Sequence, residues 1–141
     1  MISLPAAAER KLAKPTYARL DVESVNAALR RLETAVPDSF RDFYTKYAGP
    51  FGSKRIGFLL LDLCEDTPNV ITQTQVCRKE HGWPKKLVVL TDLLGNAVLV
   101  LDAEIDRVFN VDFEGGDEEL IRGQLEPSWS SFNDFLSFFF G

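Results

Sequence analysis

The sequence predicts one domain that contains both helices and strands, and three observations lead to this prediction. The chain has 141 residues, a length typical of a single domain. Apolar residues recur at helical spacing before residue 50 and after residue 130. Between these segments lie apolar runs of strand length, bounded by turn-forming residues. No repeat or linker divides the chain, so we expect a domain over residues 16–141 and a loosely held N-terminal arm over residues 1–15.

Two helices are predicted in the first third of the chain. Asp21 is a favourable N-cap for the first helix, and Pro37 ends that helix and opens the second. Gly49 and Pro50 end the second helix. The apolar side of the first helix is Val25, Leu29, Leu32 and Val36, and the second carries an aromatic stripe of Phe40, Phe43, Tyr44 and Tyr47.

Two more helices are predicted further along the chain. Thr67 is the predicted N-cap of a helix that has Pro68 in its first position and ends before Gly82. The last helix follows a serine cap at the end of the chain. Its predicted buried stripe consists of Phe132, Phe135, Leu136 and Phe139.

The middle of the chain predicts strands. The run 56–63 is apolar enough for a buried strand, and the runs 86–91 and 97–102 predict a hairpin. The hairpin connection holds Gly95 and Asn96, which tolerate the left-handed backbone of a tight turn. The segment 106–114 alternates between apolar and polar residues, as a half-exposed strand near a sheet edge does, and Gly115 and Gly116 are expected to break the chain after it.

Composition argues against membrane and secreted classes. The chain is 45% apolar and 26% charged, as soluble globular domains are. No apolar run is long enough for a membrane helix, and the N-terminus lacks the apolar core of a secretory signal. Cys64 and Cys77 have neither disulfide-framework nor metal-ligand spacing, so free thiols in a reducing compartment are expected. These observations predict a cytoplasmic protein with no membrane partner.

Residue patterns typical of catalysis are weak. The single histidine, His81, precedes a glycine at a predicted helix end, where it would cap carbonyl groups. No nucleophile elbow, phosphate-binding loop or dinucleotide fingerprint is present. Acids at strand ends could form carboxylate pairs for a hydrolase or a divalent cation: Asp62, Glu65 and Asp66, and Asp102, Glu104 and Asp106. Because such acids are commonly only solvated, we predict no catalytic residue, no cofactor and no metal site; a small carboxylate-based enzyme is the third alternative.

Charge is distributed unevenly along the chain. Residues 1–55 hold ten basic and six acidic residues, whereas residues 56–141 hold six basic and fifteen acidic ones. The stretch 101–119 is the most acidic, with eight acids and one arginine. Such a surface repels phosphate backbones, so no direct nucleic-acid binding is expected. It would attract a basic protein partner, although a solvated acidic loop is the simpler reading.

Four motifs follow one another along the chain: Val36-Pro37, the aromatic run Phe40 to Tyr47 with Ala48-Gly49, Asp92 to Asn96, and Ser131 to Phe139. Their order and spacing resemble the SUKH superfamily over roughly residues 17–140. This Smi/Knr-like domain occurs in fungal cell-wall regulators and in many bacterial toxin-immunity proteins. Ala48 departs from the asparagine that the family usually has, but the following glycine is kept.

The resemblance implies an α+β fold, with a twisted, mainly antiparallel sheet and helices packed largely on one face. It implies no shared catalytic residue and no cofactor. In this family the hairpin segment is a turn that shapes the sheet, which favours a structural role over a catalytic or metal-binding loop for Gly49, Asp92, Gly95 and Asn96. For function it implies binding, since bacterial members neutralise a cognate polymorphic or contact-dependent toxin by covering its active site.

The acidic stretch gives this role a predicted surface. Many toxin domains are nucleases or other nucleic-acid-modifying enzymes with basic clefts, into which an acidic inhibitor would be steered. The predicted contacts are Asn110, Asp112, Glu114, Asp117, Glu118 and Glu119, joined by Glu65 and Asp66. Trp83 and Trp129, and after them Phe51, are predicted to be exposed anchors, with packing onto the core as an equal alternative. A regulatory or scaffold interaction domain without a toxin is the alternative function, and the oligomeric state stays open.

Overall fold

The computed structural model describes residues 4–141, and it confirms the predicted α+β fold. The described residues form six α-helices, a short 3-10 helix over Pro15–Tyr17 and one three-stranded sheet. The helices are α1 (Ala6–Lys11), α2 (Val22–Leu32), α3 (Asp38–Lys46), α4 (Val70–His81), α5 (Gly116–Ile121) and α6 (Phe132–Phe140). The strands are β1 (Leu87–Val89), β2 (Ala97–Asp102) and β3 (Arg107–Asp112).

The sheet is antiparallel, with β2 between β1 and β3. The hairpin from β1 to β2 closes with a turn whose central residues, Gly95 and Asn96, have φ angles of 56° and 68°. Two positive φ angles match the type I′ turn, whose twist suits a β-hairpin. Backbone hydrogen bonds of 2.9 and 3.0 Å between Leu94 and Ala97 complete the turn.

Apolar side chains cover both faces of the sheet, but unequally. The larger core lies between one face and the helices α2, α3 and α6. Strand β2 serves both sides, because Leu99 faces the larger core and Val98 faces the other cluster. The smaller cluster is closed by Cys77 of α4, by Trp83 and by Leu120 of α5. Most helix packing is therefore on one face, as predicted.

The predicted N-caps of α2 and α6 and the predicted aromatic stripes of α3 and α6 are confirmed. The predicted end of the first helix at Pro37 is wrong, because α2 ends at Leu32, where Glu33 adopts the left-handed conformation. Asp21 accepts a hydrogen bond from the Ser24 N–H at 3.3 Å, and the Ser131 hydroxyl accepts one from the Asp134 N–H at 3.0 Å. The stripes pack into the larger core with side chains no more than 1% exposed: Phe40, Phe43, Tyr44, Phe132, Phe135, Leu136 and Phe139. Their rings join α3 to α6.

The predicted start of α4 is wrong by two positions. The helix begins at Val70, and its N-cap is Asn69 rather than Thr67. The Asn69 side chain accepts from the Thr72 N–H at 2.9 Å, and the Thr72 hydroxyl accepts from the Asn69 N–H at 3.0 Å. This reciprocal capping box satisfies two backbone donors, which a single threonine cap would not.

The segment 56–63 is buried but does not form a strand, so that prediction is wrong as well. Leu60 makes only isolated bridges, to Phe51 and to Thr91. The neighbouring Leu59 N–H donates to the Asp92 carboxylate at 3.0 Å, so a side chain replaces a ladder hydrogen bond. Conversely, helix α5 forms where no helix was predicted, because Gly115 and Gly116 were expected only to break the chain.

A buried ion pair joins three segments of the chain. The side chains of Arg19 and Asp62 are 0% and 1% exposed, with 2.7 Å between their nearest charged atoms. Arg19 also donates to the carbonyl oxygens of Tyr44 and Tyr47, and Asp62 accepts from the Gly49 N–H at 2.8 Å. Burial lowers the pKa of Arg19, but the hydrogen bonds and charge of Asp62 outweigh it, so the pKa lies above its ordinary value.

The segment predicted as a loosely held arm contains helix α1. Ala8 and Leu12 are 0% and 3% exposed and belong to the larger core. Helix α1 packs against α6. Residues 1–3 of the predicted arm lie outside the described residues.

Candidate partner-binding surface

An aromatic ridge stands at the C-terminal end of α4. The helix ends at His81, and Gly82 adopts a left-handed φ of 66°, which turns the chain toward Trp83. The His81 ring stacks on Phe113 with 4.9 Å between centroids, and the Trp83 ring also stacks on Phe113, at 5.9 Å. The aromatic ridge is these three side chains: His81, Trp83 and Phe113.

An acidic groove of about 390 Å³ lies between this ridge and α5. Its lining combines two rings of the ridge, two acids, one exposed aliphatic side chain and one arginine: His81, Trp83, Asp117, Glu118, Ile121 and Arg122. The acids occupy the first turn of α5, where the unpaired backbone N–H groups favour negative charge. Glu119 follows them on the same helix and is exposed. These three acids of the predicted binding surface thus lie on one helix, beside aromatic rings.

An apolar groove of about 280 Å³ lies on the other side of the ridge, between α4 and the hairpin. Val89 and Val98 of the sheet form its floor, and they are 1% and 3% exposed. Its rim includes Val76 and Leu93, which are 44% and 56% exposed. The remaining lining is Gln73, Cys77, His81, Asn96 and Phe113. Here the smaller apolar cluster reaches the surface.

The acids of β3 lie beside the acidic groove rather than in it. Asp112 accepts from the Glu114 N–H at 2.9 Å and from the Gly116 N–H at 3.3 Å, so its carboxylate holds the turn that leads into α5. Asn110 is exposed, but it alternates with Phe109 and therefore points to the opposite face of the sheet. The exposed Glu114 is part of the turn itself.

Glu65 and Asp66 are not brought to this surface. Glu65 pairs with the buried Arg19 at 2.6 Å, and the carbonyl of Asp66 accepts from the Asn69 side chain at the start of α4. The ridge begins at the other end of the same helix, at His81. Twelve helical residues separate the two ends by about 16 Å. The predicted single acidic surface is therefore split.

The exposure predicted for two aromatic anchors is wrong. Trp83 is 5% exposed and Phe51 is 1% exposed, so both pack onto the core, as the alternative had it. Trp129 is half-buried against Phe135, with 5.1 Å between ring centroids. Phe113, which was not predicted to be an anchor, contributes to the ridge.

The four predicted turn residues serve different contacts. Gly95 and Asn96 form the hairpin turn described above. Asp92 accepts from Leu59 rather than from the turn backbone. Gly49 has no room for a side chain, since a Cβ there would lie 2.5 Å from the ring of Phe51.

The acids that might have formed carboxylate pairs are held in structural contacts. Asp102 accepts from the N–H of Glu104 at 3.0 Å, and its other oxygen lies 3.6 Å from Lys86. Asp106 accepts from the Phe132 N–H at 2.9 Å, at the start of α6. Within residues 4–141 no group of three or more His, Cys, Asp and Glu side chains is placed to hold a metal ion.

The two thiols favour the protonated form. Burial raises the pKa of Cys64, and burial together with the charge of Glu80 raises the pKa of Cys77 to about 11. Because the thiolate is the reactive form, neither side chain is activated as a nucleophile.

Most of the chain matches one known protein family. The SMI1 / KNR4 family (SUKH-1) matches residues 19–137, which is most of the chain. The chain belongs to this SUKH family. Comparison with curated proteins gives no match. Among the helices of residues 4–141, none has the length and apolar character needed to span a membrane. The SUKH match begins at Arg19 and so includes the buried ion pair, the ridge and both grooves.

Proposed function

We propose that this SUKH protein is a cytoplasmic bacterial immunity protein, which binds a cognate polymorphic or contact-dependent toxin and covers its active site. The family includes toxin-immunity proteins, and SUKH domains mediate protein–protein interaction. The observation that carries the proposal is the acidic groove, where Asp117 and the exposed Glu118 lie beside the exposed His81 and the buried Trp83 of the ridge. Aromatic side chains are enriched in protein interfaces, and acids beside them would steer a basic partner to this surface.

The charge of this face suits a basic cleft. Residues 56–141 carry fifteen acids against six basic residues, so the half of the chain that contains the groove is strongly negative. A nuclease or another nucleic-acid-modifying toxin binds phosphates in a positively charged cleft. Opposite charges accelerate the encounter, and at physiological salt they act within about 8 Å. Asp117 and Glu118 would then occupy positions that substrate phosphates take.

A growth assay tests the function itself. The C-terminal domain of the protein encoded immediately upstream is induced in a bacterial host, with and without this chain. Growth restored by this chain, and not by an unrelated SUKH protein, is the expected result. Toxicity that the chain does not relieve, together with no binding between the purified proteins, would contradict the proposal and favour a regulatory or scaffold role.

Association kinetics test the acidic groove. Asp117→Lys with Glu118→Lys should slow association with the toxin domain, and adding Glu119→Lys should slow it further, because steering depends on local charge. Glu23→Lys with Asp38→Lys is the matched control, since these exposed acids also lie in first turns of helices and the net charge changes equally. Equal slowing by both pairs would show that total charge, and not this groove, guides the encounter.

A further inference from the structure

The apolar groove and the acidic groove form one surface divided by a single ridge. His81 lines both grooves, with Phe113 on the apolar side and Trp83 on the acidic side. Because one side chain lines both, the two grooves adjoin each other, and one short segment of a partner can reach both.

The size of the apolar groove favours a side chain as its occupant. At about 280 Å³ it is at the lower end of the range of roughly 300–1,000 Å³ in which small-molecule sites usually fall. The exposed Val76 and Leu93 on its rim are aliphatic, and the floor is made of valines. Such a shallow apolar pocket with polar residues around it matches the centre of a protein interface.

The surrounding charge disfavours a second copy of this chain as the occupant. A two-fold dimer would place the same patch of both copies face to face. Asp117 and Glu118 of one copy would then lie near those of the other, and Glu80, one turn after Val76 on α4, would add to the repulsion. A basic partner meets two acids and only one like charge in this groove, that of Arg122.

We infer that the apolar groove receives one aliphatic or aromatic side chain of the toxin, from a segment whose neighbouring lysine or arginine lies in the acidic groove. The inference rests on the proposed function and adds the chemistry of the contact. The apolar side chain supplies contact area that holds the complex together, while the basic side chain pairs with Asp117 and Glu118 and sets the direction of approach.

Shortening the two exposed side chains on the rim of the apolar groove tests the apolar contact without changing the charge that steers association. Val76→Ala with Leu93→Ala should weaken binding of the upstream-encoded toxin domain at least about tenfold, mainly through faster dissociation. Leu20→Ala with Val22→Ala is the matched control, because it removes the same two residue types from positions that are 94% and 43% exposed. The control pair should leave the dissociation rate within about twofold of the unsubstituted chain.

Hydrogen exchange of the full chain locates the contact independently. Addition of the toxin domain should protect backbone amides in 73–81, 92–98 and 113–118. Protection confined to other segments overturns the inference, as does equal dissociation of the two alanine pairs; in both cases growth rescue still supports the proposed function. Sedimentation tests the alternative occupant. If the unsubstituted chain forms a dimer, and if Val76→Ala with Leu93→Ala dissociates that dimer while the control pair does not, the groove binds a second copy and the inference is overturned. If the unsubstituted chain neither binds nor rescues, the proposed function and this inference both fail.

Discussion

Asp62→Ala should remove a large part of the stability of the domain. The substitution removes the buried partner of Arg19, whose side chain is 0% exposed, and leaves Glu65, with a side chain that is 53% exposed, as its remaining ion pair. Breaking a buried pair in this way costs about 3–5 kcal/mol, against a total stability of about 5–15 kcal/mol for a typical domain. The backbone N–H groups of Gly49, Cys64 and Glu65 also lose their acceptor.

A matched Asp–Arg pair on the surface provides the control. Asp38 lies 3.6 Å from Arg41, and the side chains are 71% and 51% exposed. Water replaces the partner at such a site, so Asp38→Ala should cost about 1 kcal/mol or less. The two aspartate-to-alanine substitutions are thus expected to lower the free energy of unfolding by different amounts, because only Asp62 is buried.

Urea unfolding measures the difference. With a slope of about 2 kcal/mol per molar urea, Asp62→Ala should lower the midpoint by about 2 M and Asp38→Ala by less than about 0.5 M. Equal midpoints for the two variants would show that the Arg19 charge is hydrated or repartnered after the change, and the reasoning from burial would be refuted.

Three further predictions concern the loop before 56–63, the start of α4 and a buried thiol. Gly49→Ala should destabilise the domain by about 1–3 kcal/mol, because its Cβ would lie 2.5 Å from a buried ring, whereas Gly52→Ala, with nothing within 4 Å, should have little effect in thermal melts. Asn69→Ala should cost about 1 kcal/mol through loss of the capping box, and an equal loss for Thr67→Ala would contradict that assignment. The raised pKa of Cys77 favours the folded state below pH 9, and this contribution should be lost as the pH rises through about 11; Cys77→Ala should show a shallower loss of stability over that interval, measured by urea unfolding at each pH.

Local sequence signals determined most of the helices and the hairpin. Asp21 and Ser131 act as caps because a side-chain oxygen satisfies a backbone N–H only a few residues away. Gly95 and Asn96 form the turn because they tolerate positive φ angles, whatever surrounds them. These interactions are complete within one turn of chain, so their residues predict them.

Competing local signals produced the errors. Thr67 and Asn69 are both capable N-caps, and only the reciprocal bond to Thr72 decides between them. The apolar run 56–63 has the composition of a buried strand, but its backbone bonds go to isolated partners and to the Asp92 side chain. Burial follows from composition, whereas a ladder also needs a neighbouring strand in register.

Only the tertiary structure decided which distant residues meet. Arg19 finds Asp62 43 positions along the chain, and Phe113 joins the ring of His81 after three intervening strands and their loops. Trp83 lies in a loop yet is buried, because α5 and the sheet close over it. Acidic composition predicted that a negative surface exists. Only the tertiary structure brings Asp117 and Glu118 of α5 beside the ridge at one end of α4, while Glu65 and Asp66 lie at the other end of that helix. Such contacts depend on how complete elements pack, and no pattern within a single segment contains that information.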